Sequence, residues 1–271
     1  MIDLHVHTWH CRHAEGTAAD YVAVAAERGL STIAITDHLP LPPQLIKRDP
    51  SVARYSMPES ELTDYVAEVL AARDASAASG GPEVLLGIEA DLYPGNEEFV
   101  RSLVKQYPFD VVLGSVHFVD GWAFDDPTLK AGYAKWDVRN LWERYFDDLI
   151  VAARSGLADV IGHADLVKKF GYVPEGDLMP LYRNVAAAFA SAGVAVEVNT
   201  AGLRKPCAEL YPSAPFLKEL FRAGVPVTIG SDAHAPVEVG SAYDDARSAL
   251  IEAGYRSAVV FRAHRAEEVP L

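Results

Sequence analysis

Histidine and carboxylate residues recur at the ends of short apolar segments in this 271-residue sequence. His5 and His7 lie two positions apart in the segment 2–7, so both imidazoles would project from one face of a strand. Glu89 and Asp232 stand in comparable positions, and no cysteine aligns with them. Other histidines at such ends are His38, His117, His163 and His234. Imidazole and carboxylate together bind zinc, iron or manganese, so these residues predict a divalent-metal site rather than a thiolate or redox site.

The elements that must position these residues alternate along the chain. Strands are expected at 2–7, 31–36, 84–89, 109–117, 158–163, 194–199, 226–231 and 257–262. Helices are expected near 17–29, 58–79, 95–106, 137–155, 178–192, 213–223 and 243–253. Strict alternation of apolar strands with amphipathic helices predicts an α/β fold with a parallel sheet buried on both faces. Seven or eight such units favour a closed barrel, whose strand ends meet at one C-terminal rim.

No repeat, low-complexity tract or linker interrupts the pattern, which predicts a single domain over 1–271. Two segments, 39–57 and 118–136, lack a clear strand or helix signal. Loops of that length in a compact domain are usually functional. The sequence leaves their role open.

Composition narrows the class of partner. The formal net charge of −14 disfavours a nucleic-acid ligand. The longest uncharged stretch, 184–196, is too short to cross a bilayer, so no membrane association is predicted. Two cysteines and an N-terminus without signal-peptide features predict a cytoplasmic protein. A small-molecule substrate is therefore expected, and nothing indicates the oligomeric state.

Several short motifs carry a resemblance to a known group of proteins. They are His5-Val-His7, His13, Thr-Asp37-His38, Glu89, His117, His163 and Ser-Asp232-Ala-His234, spread from residue 2 to about 240. This set resembles the polymerase and histidinol phosphatase (PHP) superfamily. Within it, the segments 86–91, 114–118 and 197–204 are similar to the monofunctional histidinol-phosphate phosphatases. The resemblance implies a distorted (β/α)7 TIM-like barrel with a metal site at the C-terminal rim. It also implies hydrolysis of L-histidinol phosphate to L-histidinol and phosphate, a step of histidine biosynthesis.

The same resemblance implies three divalent ions, drawn from zinc, iron and manganese. One would take His5, His7, Glu89 and Asp232; a second would take Glu89 as a bridge with His117 and His163; the third would take His13, His38 and His234. Three or four protein ligands leave an open position for an exogenous oxygen, as catalytic sites require. A hydroxide between two ions is the nucleophile that the family pattern implies. Its cationic surroundings would attract a phosphate ester despite the acidic chain.

Other polar residues near these ends have roles that the sequence leaves open. Asp37 could orient a neighbouring histidine or, as a catalytic residue, protonate the leaving alkoxide. Glu197 and Asn199 could orient ligands or contact substrate. Arg204 is expected to bind phosphate through its planar guanidinium, which presents two parallel donors.

Two lysines and one loop complete the candidates. Lys168 and Lys169 follow the His163 strand, and either could contact phosphate. The loop 118–126 could cover the imidazole and amine of a cationic substrate with Trp122, Phe124, Asp125 and Asp126. The same loop could instead pack its aromatic residues against its own barrel.

Alternative functions remain at this point. The chain could be a PHP phosphoesterase for another small phosphate ester. An amidohydrolase-type metal hydrolase also carries HxH on its first strand and Asp on its last, although the cluster of His13, His38 and His234 argues against it. A nuclease module of a DNA polymerase would be expected to have an attached polymerase region and a less acidic net charge. A metal-binding protein without turnover would be expected to lack some ligands, whereas every family position is filled.

Overall fold

The computed structural model describes residues 1–271, with eleven strands and eight α-helices. The strands are β1 (Ile2–Val6), β2 (Thr32–Ile35), β3 (Glu83–Asp91), β4 (Val111–Ser115), β5 (Phe118–Val119), β6 (Trp122–Ala123), β7 (Val160–Ile161), β8 (Ala195–Asn199), β9 (Val227–Gly230), β10 (Ser257–Arg262) and β11 (Arg265–Pro270). The helices are α1 (Ala18–Glu27), α2 (Pro43–Arg48), α3 (Leu62–Ser79), α4 (Glu97–Val104), α5 (Val138–Arg154), α6 (Met179–Ala192), α7 (Ala214–Arg222) and α8 (Tyr243–Ala253). None of the helices is both long enough and apolar enough to span a membrane.

Seven parallel strands form one sheet in the order β1-β2-β3-β4-β7-β8-β9. A parallel bridge between Val6 and Ala233 brings the first and last strands together, so the barrel is nearly closed. Buried Asp3 reinforces this junction, since its carboxylate accepts hydrogen bonds from Ser231 N, Ser231 Oγ and Gly240 N. The junction lies at the C-terminal rim. The predicted (β/α)7 TIM-like barrel is confirmed.

Alternation along β1 shows how the barrel separates apolar from polar side chains. Leu4 and Val6 are buried in two different apolar clusters, each of which joins strands to helices. His5 lies between them in sequence and points to the opposite face. The strands thus bury apolar side chains on one face, while polar residues such as His5 project from the other face toward the rim.

The predicted strand 257–262 exists, but it does not belong to the barrel. It forms β10, which pairs antiparallel with β11, and its residues Ala258–Phe261 pack against the apolar cluster that contains Ile2 and Leu4. Ala263 and His264 have positive φ angles of 47° and 64°, as the tight turn of a hairpin requires. The four central residues of β10 are all buried, so this hairpin strand has the same short apolar pattern as a barrel strand. The barrel itself has seven strands.

The two segments without a clear signal are ordered cover elements beside the rim. Segment 39–57 contains α2 and a 3-10 helix, Pro50–Tyr55. Segment 118–136 contains the β5–β6 hairpin and a 3-10 helix, Pro127–Lys135. The hairpin turns at Asp120 and Gly121, whose φ angles are 50° and 76°. Arg48 Nη2 donates to Asp120 O at 2.6 Å and so joins the two segments.

Candidate metal centre

The barrel brings nine predicted metal ligands to one place at its C-terminal rim. His5 lies in β1 and Glu89 in β3, and the others lie just beyond strand ends or in the loop after β1. We call these nine side chains the rim cluster: His5, His7, His13, His38, Glu89, His117, His163, Asp232 and His234. Among these nine residues His13 alone is exposed to solvent, and most of the others are buried.

Glu89 occupies the middle of the rim cluster and faces imidazoles with both carboxylate oxygens. Five nitrogens surround it: on Oε2, His38 Nδ1 at 2.9 Å with His5 Nε2 and His7 Nε2 at 3.5 Å each; on Oε1, His163 Nε2 at 2.9 Å and His117 Nε2 at 3.7 Å. Ser115 Oγ also donates to Oε1 at 2.6 Å. One carboxylate thus links two groups of histidines, as a bridging residue must.

Asp232 and His7 connect Glu89 to the remaining histidines. Asp232 Oδ1 lies 3.4 Å from His7 Nε2 and 3.5 Å from His234 Nδ1. The His7 ring stacks on both His38 and His234, with centroids 4.4 Å apart in each pair. The His13 ring lies 4.9 Å from that of His234. His7 therefore adjoins the predicted third ligand set as well as its own.

Donor atoms group in ways that overlap the division implied by the resemblance. Nitrogens or oxygens lie within 4.8 Å of one another in the groups His5–His7–Asp232, His7–His38–His234 and His38–Glu89–His117. The first agrees with the implied set. The other two place His7 and His38 between neighbouring sets.

The arrangement of these donor atoms is more favourable with divalent cations between them than without. His5 Nε2 and His7 Nε2 are only 2.9 Å apart, and Glu89 Oε2 is buried with no donor in hydrogen-bonding geometry. Buried carboxylate oxygens without a partner are costly, and a cation removes that cost. Imidazole and carboxylate are the ligands that zinc, iron and manganese share. The residues present therefore fit such ions.

The charge states of Glu89, Asp232, His7 and His13 agree with a ligand role. Burial acts to raise the pKa of Glu89, but His38 and His5 outweigh it and hold the pKa well below its usual value. Burial likewise acts to raise the pKa of Asp232, and His5 outweighs it. Burial lowers the pKa of His13 to about 3 and also lowers that of His7. Both carboxylates are ionised and both imidazoles are neutral at neutral pH, which is the form that binds metal. At His5 and His117 burial acts to lower the pKa, but nearby carboxylates outweigh it and raise the pKa, to about 10 for His117, so metal binding would displace a proton from each.

A second set of residues orients the histidines of the rim cluster. Glu197 Oε1 lies 2.8 Å from His5 Nδ1, and Glu197 Oε2 accepts from His163 N at 2.9 Å. Asp91 Oδ1 accepts from His117 N at 3.0 Å and lies 3.1 Å from its Nδ1. Such contacts fix the ring and its tautomer, so that the other nitrogen faces the metal.

Glycine makes room for one of these orienting carboxylates. A Cβ at Gly230 would lie 2.0 Å from Glu197 Oε1. The sequence left Glu197 with two open roles and gave Asp91 none beyond its motif. The position of Glu197 and Asp91 at strand ends was the signal that the sequence offered. The histidine that each carboxylate contacts is known only from the three-dimensional structure.

Asp37 is buried beneath the loop after β1 and does not line the cavity above the rim cluster. Its carboxylate accepts from Thr8 N at 2.7 Å and Thr8 Oγ at 2.5 Å, and lies 4.0 Å from His7 Nδ1. Burial raises the pKa of Asp37 to about 7. These contacts favour orientation of the His7 loop over proton delivery to a leaving group.

A cavity of about 490 Å³ lies over the rim cluster. We call the following side chains, which line it beside the rim cluster, the loop wall: Arg12, Arg54, Tyr55, Phe118, Asp125, Asp126, Lys169, Lys205 and Tyr211. Most of them come from the loops that follow the barrel strands or from the two cover segments. The wall therefore combines cations, carboxylates and aromatic rings around a polar centre.

The predicted phosphate lysines point in different directions. Lys169 lines the cavity and pairs with Asp125 Oδ2 at 3.0 Å. Lys168 does not line it, because its ammonium is buried between Asp165 Oδ2 and Glu209 Oε2, at 3.0 Å each. Both lysines belong to a 3-10 turn, where consecutive side chains diverge.

Trp122 and Asn199 also lie outside the cavity lining. Trp122 Nε1 donates to Leu129 O at 3.3 Å, and its ring packs on Tyr133. Asn199 Nδ2 donates to Glu197 Oε2 at 3.0 Å and to Asp232 Oδ2 at 3.3 Å. Trp122 is therefore part of its own loop, and Asn199 supports two acidic residues at the rim.

Arg204 lies at the edge of the site with its guanidinium already occupied. It donates to Ser231 O at 2.9 Å, contacts Asp232 O at 3.4 Å and pairs with Glu238 Oε1 at 3.2 Å. Lys205, the next residue, lines the cavity and forms no ion pair or side-chain hydrogen bond. The sequence did not single out Lys205, since adjacent basic residues give no sign of which one reaches the cavity.

Comparison with known proteins agrees with this fold. The family model described as PHP domain matches residues 3–201. A protein of Deinococcus radiodurans named "Probable histidinol-phosphatase" is 40% identical over 98% of this chain and 97% of its own length. The histidinol-phosphatase of Bacillus subtilis is 28% identical over 89% of this chain and 96% of its own. The crystal structure of histidinol phosphate phosphatase from Lactococcus lactis, complexed with zinc, L-histidinol and phosphate, superposes with a TM-score of 0.75 at 20% identity, covering 98% of each chain.

A nearly closed parallel barrel with its polar centre at the C-terminal rim defines the TIM-like class of α/β proteins. The family match covers well over half of the chain, and the relative from Deinococcus covers nearly all of it. The chain belongs to the PHP domain family.

Proposed function

We propose that this protein is a histidinol-phosphatase, which hydrolyses L-histidinol phosphate to L-histidinol and phosphate in histidine biosynthesis. The observation that carries the proposal is the convergence of the whole rim cluster beneath one open cavity. The relatives from Deinococcus and Bacillus bear the name of this activity along most of their length. The related Lactococcus structure, similar in fold, contains both reaction products.

The rim cluster would hold up to three divalent cations, drawn from zinc, iron and manganese. We propose His5, His7, Glu89 and Asp232 for the first, Glu89, His117 and His163 for the second, and His13, His38 and His234 for the third. Bound there, divalent cations would generate a water-derived nucleophile near neutral pH and offset the negative charge of a phosphoryl group. Glu89 would bridge two of them, in keeping with the nitrogens that face both of its oxygens.

Cations of the chain would bind the phosphate oxygens that face away from the rim cluster. Lys205 is free of ion pairs and lies close enough to His234 to act on its pKa. Lys169 lines the same cavity. Arg204 would join them by releasing the Ser231 and Asp232 carbonyls. Measurements of kcat/KM and metal content for Arg204→Ala test whether Arg204 contacts the phosphate. Charge-assisted hydrogen bonds of this kind stabilise the phosphoryl group during displacement.

In the reaction the ester P–O bond breaks, the oxygen of water joins phosphorus, and the departing alkoxide of histidinol takes a proton. Asp37 is enclosed by Thr8 and separated from the cavity, so we assign it to positioning the loop that carries His7 and His13. Glu89 and Asp232 would serve catalysis by holding the divalent cations that supply the nucleophile.

Two further features belong to the proposal. The β10–β11 hairpin shares an apolar cluster with the barrel strands, which supports a single functional domain over 1–271. Cys11 and Cys207 are both free thiols, which supports a cytoplasmic location.

Phosphate release from purified, metal-reconstituted protein tests the function. We expect L-histidinol phosphate to be hydrolysed with a higher kcat/KM than sugar phosphates or nucleotides. Faster hydrolysis of another ester in that panel would identify a different PHP phosphoesterase. Hydrolysis of cyclic amides without phosphate release would identify an amidohydrolase-type enzyme.

A further inference from the structure

Asp125 stands apart from the other carboxylates that line the cavity. Glu89 and Asp232 belong to the rim cluster, and Asp91 is committed to His117. Asp126 accepts from Arg54 and Tyr55 and caps the turn at Thr128. Asp125 has a single partner, Lys169, and that contact uses only Oδ2. Asp125 Oδ1 therefore has no hydrogen-bond partner within the chain.

The chain holds Asp125 rigidly in this position. Phe124, directly before it, is fully buried and packs against Tyr145, with ring centroids 5.4 Å apart. Asp126, directly after it, is fixed at the start of the 3-10 helix 127–135. Lys169 then orients the carboxylate itself. A side chain fixed on both sides loses little entropy when a ligand binds, so it suits a specific contact.

Asp125 also lies near the reacting centre. It lines the same cavity as His117 and His163, and the pKa of its carboxyl is lowered, against burial, by Lys169 and by these two imidazoles. A ligand group on Asp125 would therefore be only a short distance from a phosphoryl group bound over the rim cluster. An ammonium group separated from the ester oxygen by two carbons would be close enough to the phosphoryl group for both to bind in this cavity.

We propose that Asp125 forms an ammonium-binding subsite, which selects phosphomonoesters bearing a cationic amine close to the ester oxygen. The proposal rests on the proposed function, since L-histidinol phosphate carries its amine at this position. Asp125 Oδ1 accepts from the substrate ammonium, while Oδ2 stays with Lys169. A carboxylate has lone pairs for both donors. Asp125 is a specificity residue, and Lys169 positions it.

The test compares two esters that differ only in the amine: L-histidinol phosphate and 3-(imidazol-4-yl)propyl phosphate. In wild-type protein we expect a higher kcat/KM for the ester with the amine. Asp125→Asn removes the charge and should reduce that preference roughly 10- to 150-fold, the range for one lost charge-assisted hydrogen bond. The rate for the ester without the amine should change little.

Lys169→Met is the matched control, because it breaks the same ion pair and keeps the carboxylate. It should lower kcat/KM for both esters and reduce the preference for the amine less than Asp125→Asn does. Metal content and thermal melting of each variant confirm that the site is intact, and Asp125→Ala replaces the asparagine variant if that protein does not fold. An equal loss for both esters in Asp125→Asn, or an unchanged preference, would overturn the subsite.

A binding measurement separates this inference from the proposed function. If wild-type protein hydrolyses neither imidazole ester, the histidinol-phosphatase assignment fails. Calorimetric titration of metal-loaded protein with 2-aminoethyl phosphate and ethyl phosphate still tests Asp125. Tighter binding of the aminoethyl ester to wild type but not to Asp125→Asn supports the subsite, and equal affinities in wild type refute it.

Discussion

Carboxylates occur in both the rim cluster and the loop wall, but the chain compensates them differently. In the loop wall, Asp126 is bound by Arg54 and Tyr55, and Asp125 is bound by Lys169. In the rim cluster, no lysine or arginine side chain contacts Glu89, and its Oε2 lacks a hydrogen bond. Basic side chains of the chain itself neutralise the carboxylates of the wall, whereas the carboxylates of the rim cluster would be neutralised by bound metal cations. Metal binding should therefore depend on the rim cluster and the residues that orient it, and substrate binding on the wall.

The largest effect should come from Glu89. Glu89→Gln removes the charge that faces five imidazoles and the residue proposed to bridge two cations. We expect both metal loading and turnover to be lost, measured by metal analysis of the purified protein and by phosphate release. Glu252→Gln, on the exposed side of α8, is the matched control. A Glu89→Gln protein with full activity and unchanged metal content would remove the distinction between rim cluster and wall.

Lys205 provides the converse test in the wall. Lys205→Ala removes a cavity cation without an ion pair, and we expect kcat/KM to fall roughly 10- to 150-fold through loss of one charge-assisted contact. Metal content should stay at the wild-type level. Lys218→Ala, exposed on α7, should leave both quantities unchanged. If Lys205→Ala loses metal as well, the wall takes part in holding the centre.

Glu197 sharpens the comparison, because it lies within the barrel but outside the rim cluster. Glu197→Gln replaces the acceptor for His5 Nδ1 and for His163 N, which fixes the ring of His5 and the backbone of His163. Loss of such an orienting partner typically weakens metal binding about 10- to 100-fold. Competition with a chelator measures the affinity, and excess metal should restore the activity. Failure of excess metal to restore it would assign Glu197 to the chemistry instead.

Most of the rim cluster could be placed from the strand pattern of the sequence, with His13 added by the family resemblance, and the wall could not, for one physical reason. In a parallel barrel every strand delivers its last residues to the same rim, so His5 or Glu89 can be placed once the strand is recognised. A loop has no such rule. Lys168 and Lys169 are adjacent, yet one is buried against Asp165 and the other lines the cavity.

Local turn chemistry could have improved one part of the prediction. Asp120-Gly121 between two short apolar segments is a strong signal for a tight hairpin, and the structure has one there. The short helix α2 has no comparable signal, because prolines crowd its start. The strand 257–262 shows that a local pattern can also mislead. Its apolar pattern fits a barrel strand, and only its pairing with β11 reveals a hairpin.

The smallest predicted effect concerns stability and a buried carboxylate near the wall. Asp148 is buried on α5, where Arg144 contacts its Oδ1 at 3.3 Å and its Oδ2 has no partner. Burial raises the pKa of Asp148 to about 6, although Arg144 opposes the shift. The folded protein therefore favours the protonated form. This contribution to stability is complete below pH ~4, the range in which the unfolded carboxyl titrates, and is lost as pH rises through about 6.

Asp148→Asn should thus stabilise the protein at pH 8, where the wild type must keep an ionised carboxylate buried. We expect the free energy of unfolding to rise by about 1–3 kcal/mol at pH 8 and by little at pH 4. Denaturant unfolding at several pH values measures the difference, and kcat/KM should not change, because Asp148 lies outside the cavity lining. A variant less stable than wild type at pH 8 would show that the Arg144 ion pair outweighs the cost of burial, as ion pairs do in the wall.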